Sequence, residues 1–258
     1  MFFPSRVRMF SATAIALSLV LRAAAQVTES PETVKPGNFR VEMDGLQLTF
    51  DRDKAAGETF RAVGVASTLV TTGLTQDLDV QLGFDFFHRE TYDAGGQSDS
   101  NSGLGDVTVR AKYTFWRKED RSAAAAVIPY VKVPTNSGGV GNDSVEGGLI
   151  LPWSMTAGGV TPGAMFVWDV RRNDADNGYV SRWSLTGYVE RELVLGLTAY
   201  AEALLEAISS AASRMAGQLG AGARWKCGAR LELDYEFLKG LDARASDWTH
   251  IFRVNWEW

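Results

Sequence analysis

Residues 107–115, VTVRAKYTF, alternate without a break: Val107, Val109, Ala111, Tyr113 and Phe115 share one face, and Thr108, Arg110, Lys112 and Thr114 share the other. A period of two is the signature of a strand with two different surroundings. The same pattern recurs down the chain in blocks of roughly ten to thirteen residues, about the length of a membrane-crossing strand. The blocks are FRVEMDGLQLTF (39–50), TFRAVGVASTLV (59–70, weakly phased), DVQLGFDFFHR (79–89), the stretch above, VIPYVKVP (127–134), SVEGGLILPW (144–153), PGAMFVWDVR (162–171), SRWSLTGYVERE (181–192), LTAYAEALLEAI (197–208), AGQLGAGARWK (216–226), ARLELDYEF (229–237) and THIFRVNWEW (249–258). The first block loses phase at Gly45, as a β-bulge would make it do. Residues 197–215 also carry the Ala, Leu and Glu of a helix former. The shared parity of Thr198, Tyr200, Glu202 and Glu206 assigns them to a strand.

The connections alternate in length. Short turns fall at 73–78, 117–122, 156–159, 193–196 and 226–228, and longer polar loops at 51–58, 90–103, 135–143, 172–179 and 238–247. Short turns on one side and long loops on the other are the asymmetry of outer-membrane barrels. A soluble sandwich also alternates, so three further features decide. The polar parity is charged with both signs: Arg110, Lys112, Lys132, Glu146, Asp169, Arg171, Arg182, Glu190, Arg230, Glu232, Asp234 and Glu236 are the candidates to line a lumen, alongside Glu42, Asp85, Glu202, Arg224, Arg253 and Glu257. Aromatics gather near block ends on the apolar parity, and Phe86, Tyr113, Phe115, Trp153, Trp168, Trp183, Trp225, Trp256 and Trp258 suit the two headgroup belts. The last block ends on Trp258, like the aromatic terminal strand that barrel assembly machinery reads. A cation on the lipid side at mid-bilayer would cost about 2–4 kcal/mol, which sets the register. The expectation is an all-β fold: one antiparallel transmembrane barrel of about 12 strands, with outer-membrane lipid around it and a polar interior.

The N-terminus, MFFPSRVRMFSATAIALSLVLRAAAQ, has the layout of a secretory signal peptide: Arg6 and Arg8, an apolar run to Leu21, then Ala23 to Ala25. The expected organisation is a cleaved signal peptide over 1–25, a periplasmic segment leading into the barrel over 26–37, and the barrel over 38–258. A net charge of −5 without a dense basic patch excludes nucleic acid as a partner. The one cysteine, Cys227, excludes an internal disulfide and a paired-cysteine metal site.

Catalysis finds little support. His88 and His250 both read as belt residues, and Ser209, Ser210 and Ser213 have no His nearby in sequence. DADN (174–177) and the alternating Glu232, Asp234 and Glu236 lack a calcium-loop pattern. No catalytic residue, metal site or cofactor is expected.

Four stretches resemble a known family: TESPETVKPGNFRVE (28–42), GLGDVTVRAKY (103–113), IPYVKVPTNSGGVG (128–141) and GGLILPW (147–153). They are similar to the polar lead-in with Pro-Gly, the Gly-x-Gly-Asp strand start, the proline-marked strand before a Gly-rich loop, and the strand after it, in outer-membrane barrels labelled as transporters of the MetA pathway of phenol degradation. The resemblance implies an outer-membrane barrel called a transporter, for small solutes with hydrophobic or aromatic ones among them. A structural or adhesive barrel with binding loops, such as 90–103, and a lipid-modifying enzyme are the competing readings. Pro129 and Pro152 lack a ladder donor and are expected at bulges or rims.

Overall fold

The computed structural model describes residues 27–53, 56–173, 178–208 and 214–258. The expected signal peptide, the DADN segment and Ser209, Ser210 and Ser213 lie outside the described residues. Thirteen strands run through the described chain: β1 (Phe39–Asp53), β2 (Glu58–Gly73), β3 (Leu78–Ala94), β4 (Gln97–Gly103), β5 (Val107–Arg117), β6 (Ala123–Val133), β7 (Glu146–Met155), β8 (Val160–Arg172), β9 (Tyr179–Val194), β10 (Leu197–Ile208), β11 (Arg214–Lys226), β12 (Leu231–Gly240) and β13 (Trp248–Glu257). Each pairs antiparallel with its neighbours, and the β1–β13 and β2–β3 ladders close the sheet into a ring. β4 and β5 share β3: β4 pairs with His88–Ala94 and β5 with Leu78–Phe84. They form one stave interrupted at 104–106, so the barrel has twelve staves. Among the described residues the one edge left is that of β4, which pairs with β3 alone; closure of the other staves removes the template for edge-to-edge association.

β1 starts and β13 ends at one rim, here the near rim. The turns at 118–122, 156–159 and 195–196 lie there, and the longer connections 134–145 and 241–247 lie at the far rim. Residues 90–103, expected as a loop, are instead a hairpin extending β3 into β4 above the ring, with only Gly95 and Gly96, both at positive φ, in its turn. The sequence QSDSNSG of β4 has no apolar parity because both its faces are exposed.

The register of β1 shifts between Asp44 and Leu46, so Gly45 is a bulge. A second irregularity lies beside it at Ala66, a non-glycine with φ 56°. Beyond this line His88 stands across from Gly64 and Gln47, in the same rows of alternate residues as buried Thr49 and Ala62. His88 therefore faces inward and contacts Glu90 at 3.1 Å. The expectation of a belt residue fails because the phase inverts at Ala66. His250 does face outward, stacked on Tyr235 and hydrogen-bonded to its hydroxyl.

Pro129 and Pro152 sit within β6 and β7 rather than at rims. The ladders open where their missing N–H groups would donate. The β5–β6 pairing skips from Arg110↔Tyr130 to Tyr113↔Val127, and the β6–β7 pairing skips from Ala125↔Trp153 to Ile128↔Ile150. Inward tyrosines cover glycines on neighbouring strands: Tyr130 over Gly148, Tyr188 over Gly163 and Tyr200 over Gly222, where a Cβ would collide with the ring.

The interior departs from the uniformly polar lumen expected, because it carries two apolar clusters. Ile128, Tyr130, Ile150, Met165 and Val167 form one, and Val27, Leu238 and Ile251, with Leu204 against them, form the other. Val27 belongs to no strand, and its presence there leads to the contents of the lumen.

Candidate functional site: the barrel lumen

Residues 27–37 do not stand outside the barrel. They run into it from the near rim as an extended strap. At its base, Gly37 (φ 82°) donates to the Gly73 carbonyl, and Gly73 donates to the Asn38 carbonyl. A Cβ on Gly73 would fall 2.5 Å from the Val34 and Lys35 carbonyl oxygens, so only glycine lets the strap lie against the end of β2. Higher up, the strap follows the β3–β5 wall. Val34 N donates to Asp79, Thr114 Oγ1 donates to the Pro31 carbonyl, and Arg117 binds Glu32 and Asp77. Its tip reaches the opposite wall: the Val27 and Thr28 N–H groups donate to Glu202 of β10, Thr28 Oγ1 donates to Thr186 Oγ1 of β9 at 2.6 Å, and Glu29 N donates to Met165 Sδ of β8. The strap thus spans the lumen from β5 to β10.

Glu29 is its electrostatic anchor. One carboxylate oxygen accepts from Arg110 at 2.5 Å and the other lies 3.7 Å from Lys112 Nζ, all three groups being almost fully buried. Arg110 Nε is held by Gln81, and Lys112 also donates to the Ser30 carbonyl. Burial works against the Glu29 charge, but the guanidinium and the ammonium together outweigh it and hold this carboxyl below its ordinary range.

Three more ionic clusters face inward. Lys132 joins Asp106 at 2.6 Å and Glu146 at 3.3 Å, and Arg171 reaches Glu146 at 3.6 Å. Asp106 also accepts from the Thr135 and Asn136 N–H groups, which ties the 134–145 connection down onto the stave. Arg182 joins Asp169 and Glu206, and the Tyr130 hydroxyl donates to Asp169. Arg253, almost fully buried, meets Asp44 at 2.7 Å, Glu236 at 2.8 Å and Asp234 at 3.7 Å, and Tyr200 donates to Asp234. Arg224 pairs with Glu190. Buried charges are tolerated only when they are paired in this way.

Of the residues singled out in the sequence, Arg110, Lys112, Lys132, Glu146, Asp169, Asp234 and Glu236 are buried within the barrel, and Arg171, Arg182, Glu190 and Glu232 are half-buried on the same inward parity. Arg230 is not on a strand but exposed in the turn before β12. The aromatics Phe86, Tyr113, Phe115, Trp153, Trp168, Trp183, Trp225, Trp256 and Trp258 are all exposed on the outer wall. Phe39–Trp258 and Phe50–Trp248 stack across the β1–β13 closure, and Trp168–Trp183 across β8–β9. Sequence reasoning missed Glu29, Asp44 and Asp106. A signal for Glu29 was present: β5 carries two inward cations two residues apart, and its β3 neighbour offers Gln81 and Asp79 opposite them.

A cavity of about 660 Å³ remains at the near rim, between the strap (Ser30, Lys35, Asn38) and the wall made by β11, β12, β13 and β1. It is the space that the strap, lying on the other wall, leaves unfilled.

Residues 23–258 match the model of a family described as "Putative MetA-pathway of phenol degradation". A search of curated proteins gives no match. Among solved structures, an outer-membrane channel from Pseudomonas putida F1 is similar at a TM-score of 0.67 and 12% identity, covering 89% of this chain and 98% of that one. The beta domain of the Bordetella autotransporter BrkA is similar at 0.55 and 14%, covering 87% and 100%. At these identities the likeness concerns the fold.

Proposed function

The chain belongs to the MetA-pathway phenol-degradation family, and we propose that it is an outer-membrane channel whose own N-terminal strap fills the lumen at rest and which passes small solutes passively. The observation that carries this reading is the strap itself. A ring of twelve staves with exposed aromatics and aliphatics outside and paired charges inside is built to stand in lipid. A barrel serving only as an anchor has no need of a lumen crossed by a separate, hydrogen-bonded segment. The strap is held by ion pairs, a few backbone donors and two apolar side chains, Val27 and Val34, whereas each stave is held on both sides by antiparallel ladders along most of its length. Local opening free energies follow this kind of difference, so the strap is the part of the closed structure that moves first.

When it moves, the solute meets a lumen with charged clusters and two apolar patches. Selectivity then comes from width, charge and the fit of an apolar body against the Ile128–Val167 cluster. Apolar and aromatic solutes suit that surface, and the family label points the same way. β13 closes the ring against β1 and ends in aromatics, which supports recognition of that strand by barrel assembly machinery. The lipid-facing wall supports an outer-membrane location, with the near rim toward the periplasm.

Liposome swelling tests the channel directly. Vesicles carrying the chain with residues 27–34 deleted should swell in small sugars several times faster than vesicles carrying the full processed chain. Equal and negligible swelling, from a barrel shown to be folded by heat-modifiable migration, would leave a structural barrel as the better reading.

A further inference from the structure

We propose that the pocket holding the tip of the strap is a binding site for a small organic ammonium with a compact apolar body, and that such a solute displaces the tip to open the lumen. This rests on the channel reading and deepens it by giving a solute class to the wall that the tip covers. The tip sits there as a ligand would. Val27 N donates to Glu202 Oε1 at 3.2 Å, Thr28 N donates to Oε2 at 3.3 Å, and the Thr28 hydroxyl lies 3.2 Å from Oε2. The Val27 side chain packs with Leu238 and Ile251, and Leu204 lies against them. Val27 is in no strand, so these contacts join a separate segment to the wall and not one stave to the next.

The wall behind the tip suits a cation. Glu202 is 4% exposed on the inner face of β10. It meets Glu236 over Gly220 of β11, where an added Cβ would fall 3.0 Å from Glu202 Cγ and 3.2 Å from Glu236 Oε1. Arg253 is already divided among Asp44, Asp234 and Glu236. The strap offers Glu202 neutral N–H groups, and a carboxylate holds a charged donor about twice as strongly as a neutral one pairs with its acceptor. An ammonium carrying an apolar body can therefore outdo the tip on both parts of the pocket. A second observation points to a ligand here. Gln218 stands across from Leu204 on the same inner face and is 3% exposed, and neither its oxygen nor its nitrogen has a hydrogen-bond partner. A buried amide left unpaired costs free energy, which a polar group on the solute would recover.

The nitrogen, Cα and side chain of Val27 form the skeleton of isobutylamine, which sets the probes. Isobutanol has the same body without the charge, and ammonium chloride has the charge without the body. The full processed chain with Val27→Cys in a Cys227→Ser background carries one thiol, held in the pocket. Its rate of modification by methyl methanethiosulfonate reads how often the tip leaves. Isobutylammonium should raise that rate about fivefold at a concentration where isobutanol and ammonium chloride leave it nearly unchanged. Adding Glu202→Gln should bring the isobutylammonium and isobutanol rates together. Equal responses to the amine and the alcohol would overturn the assignment, and so would an undiminished response to the amine in a folded Glu202→Gln chain. If that variant does not fold, the three probes decide alone. The site and the channel fail separately. A barrel that answers the amine but never swells vesicles loses the channel and keeps the site, and one that swells vesicles without answering the amine keeps the channel and loses the site.

Discussion

Two walls of the barrel solve the same problem by different means. From β11 through β12 to β13 the ladders are unbroken, each residue from Leu231 to Lys239 having its partner on β13. Inside that wall Arg253 is shared by Asp44, Asp234 and Glu236, and Arg224 on β11 pairs with Glu190. From β5 through β6 to β7 the backbone ladder opens twice, beside Pro129 and beside Pro152. There the lumen side is packed with Ile128, Tyr130, Ile150, Met165 and Val167, and the far end is fastened by Lys132, Asp106 and Glu146. Where main-chain bonds are complete, the interior can hold concentrated charge. Where they are not, side-chain packing takes over the job of holding neighbouring strands in place.

The comparison can be broken first at Arg253. Arg253→Ala removes a cation that Asp44, Asp234 and Glu236 share, and removing one partner of a buried ion pair costs about 3–5 kcal/mol. Urea unfolding in detergent, followed by loss of heat-modifiable migration, should shift strongly. A shift no larger than that of an exposed Arg61→Ala control would show that the cluster does not hold the continuous wall.

On the interrupted wall the sensitive position is apolar. Ile128→Ala opens a cavity in the luminal cluster and should cost about 2–4 kcal/mol. The same measurement checks it, with Val131→Ala on the outer face of β6 as the comparison expected to cost far less.

Glu29→Gln keeps the shape of the strap's anchor and removes its charge. The barrel should unfold at nearly the same urea concentration, but conductance in planar bilayers should rise. The wild-type chain should do the same in acid. Because the docked carboxyl lies below its ordinary range, docking is fully supported above pH of about 4.5, weakens as the free carboxyl begins to protonate, and is lost once the pH falls through the lowered docked value. Conductance that is flat from neutral pH to a pH of about 3, well into the free carboxyl's titration, would remove Glu29 from the closure.

The smallest effect is expected at the prolines. Pro129→Ala restores an N–H where the β5–β6 ladder is open, and a typical net hydrogen bond contributes about 0.5–1.5 kcal/mol. Hydrogen exchange should show new protection at residue 129 with little change in global stability. An N–H that exchanges as fast as solvent would mean that the gap is set by β5 and not by the proline.

How much of this could be read from the residues depends on whether a face had one solvent or two. The staves bounded by lipid on one side announce themselves, because Val107 to Phe115 cannot alternate so strictly by accident, and Gly45 marks its own bulge. The phase change at Ala66 is silent, since an alanine at positive φ carries no compositional mark, and it takes His88 with it. β4 is silent for another reason: water on both faces selects Ser, Asp and Asn on both parities. The strap was the largest omission. Residues 28–37 have two prolines and no period, so nothing in the segment distinguishes lying in the periplasm from lying in a polar lumen. The information was in the wall. Arg110 and Lys112 bring two positive charges to one inner face, and the carboxylate that answers them, Glu29, lies 81 positions from Arg110 in the chain.

The account turns on residues 27–34 being inside the ring. Thr28 and Thr186 have their hydroxyl oxygens 2.6 Å apart across the lumen, so the double variant Thr28→Cys with Thr186→Cys, made in a Cys227→Ser background, tests the claim most directly. The folded barrel should link positions 28 and 186 by a disulfide under mild oxidation, seen as a gel shift that dithiothreitol reverses, with neither single variant showing it. Two thiols that stay unlinked and react at once with a membrane-impermeant maleimide would place the strap outside and contradict the account.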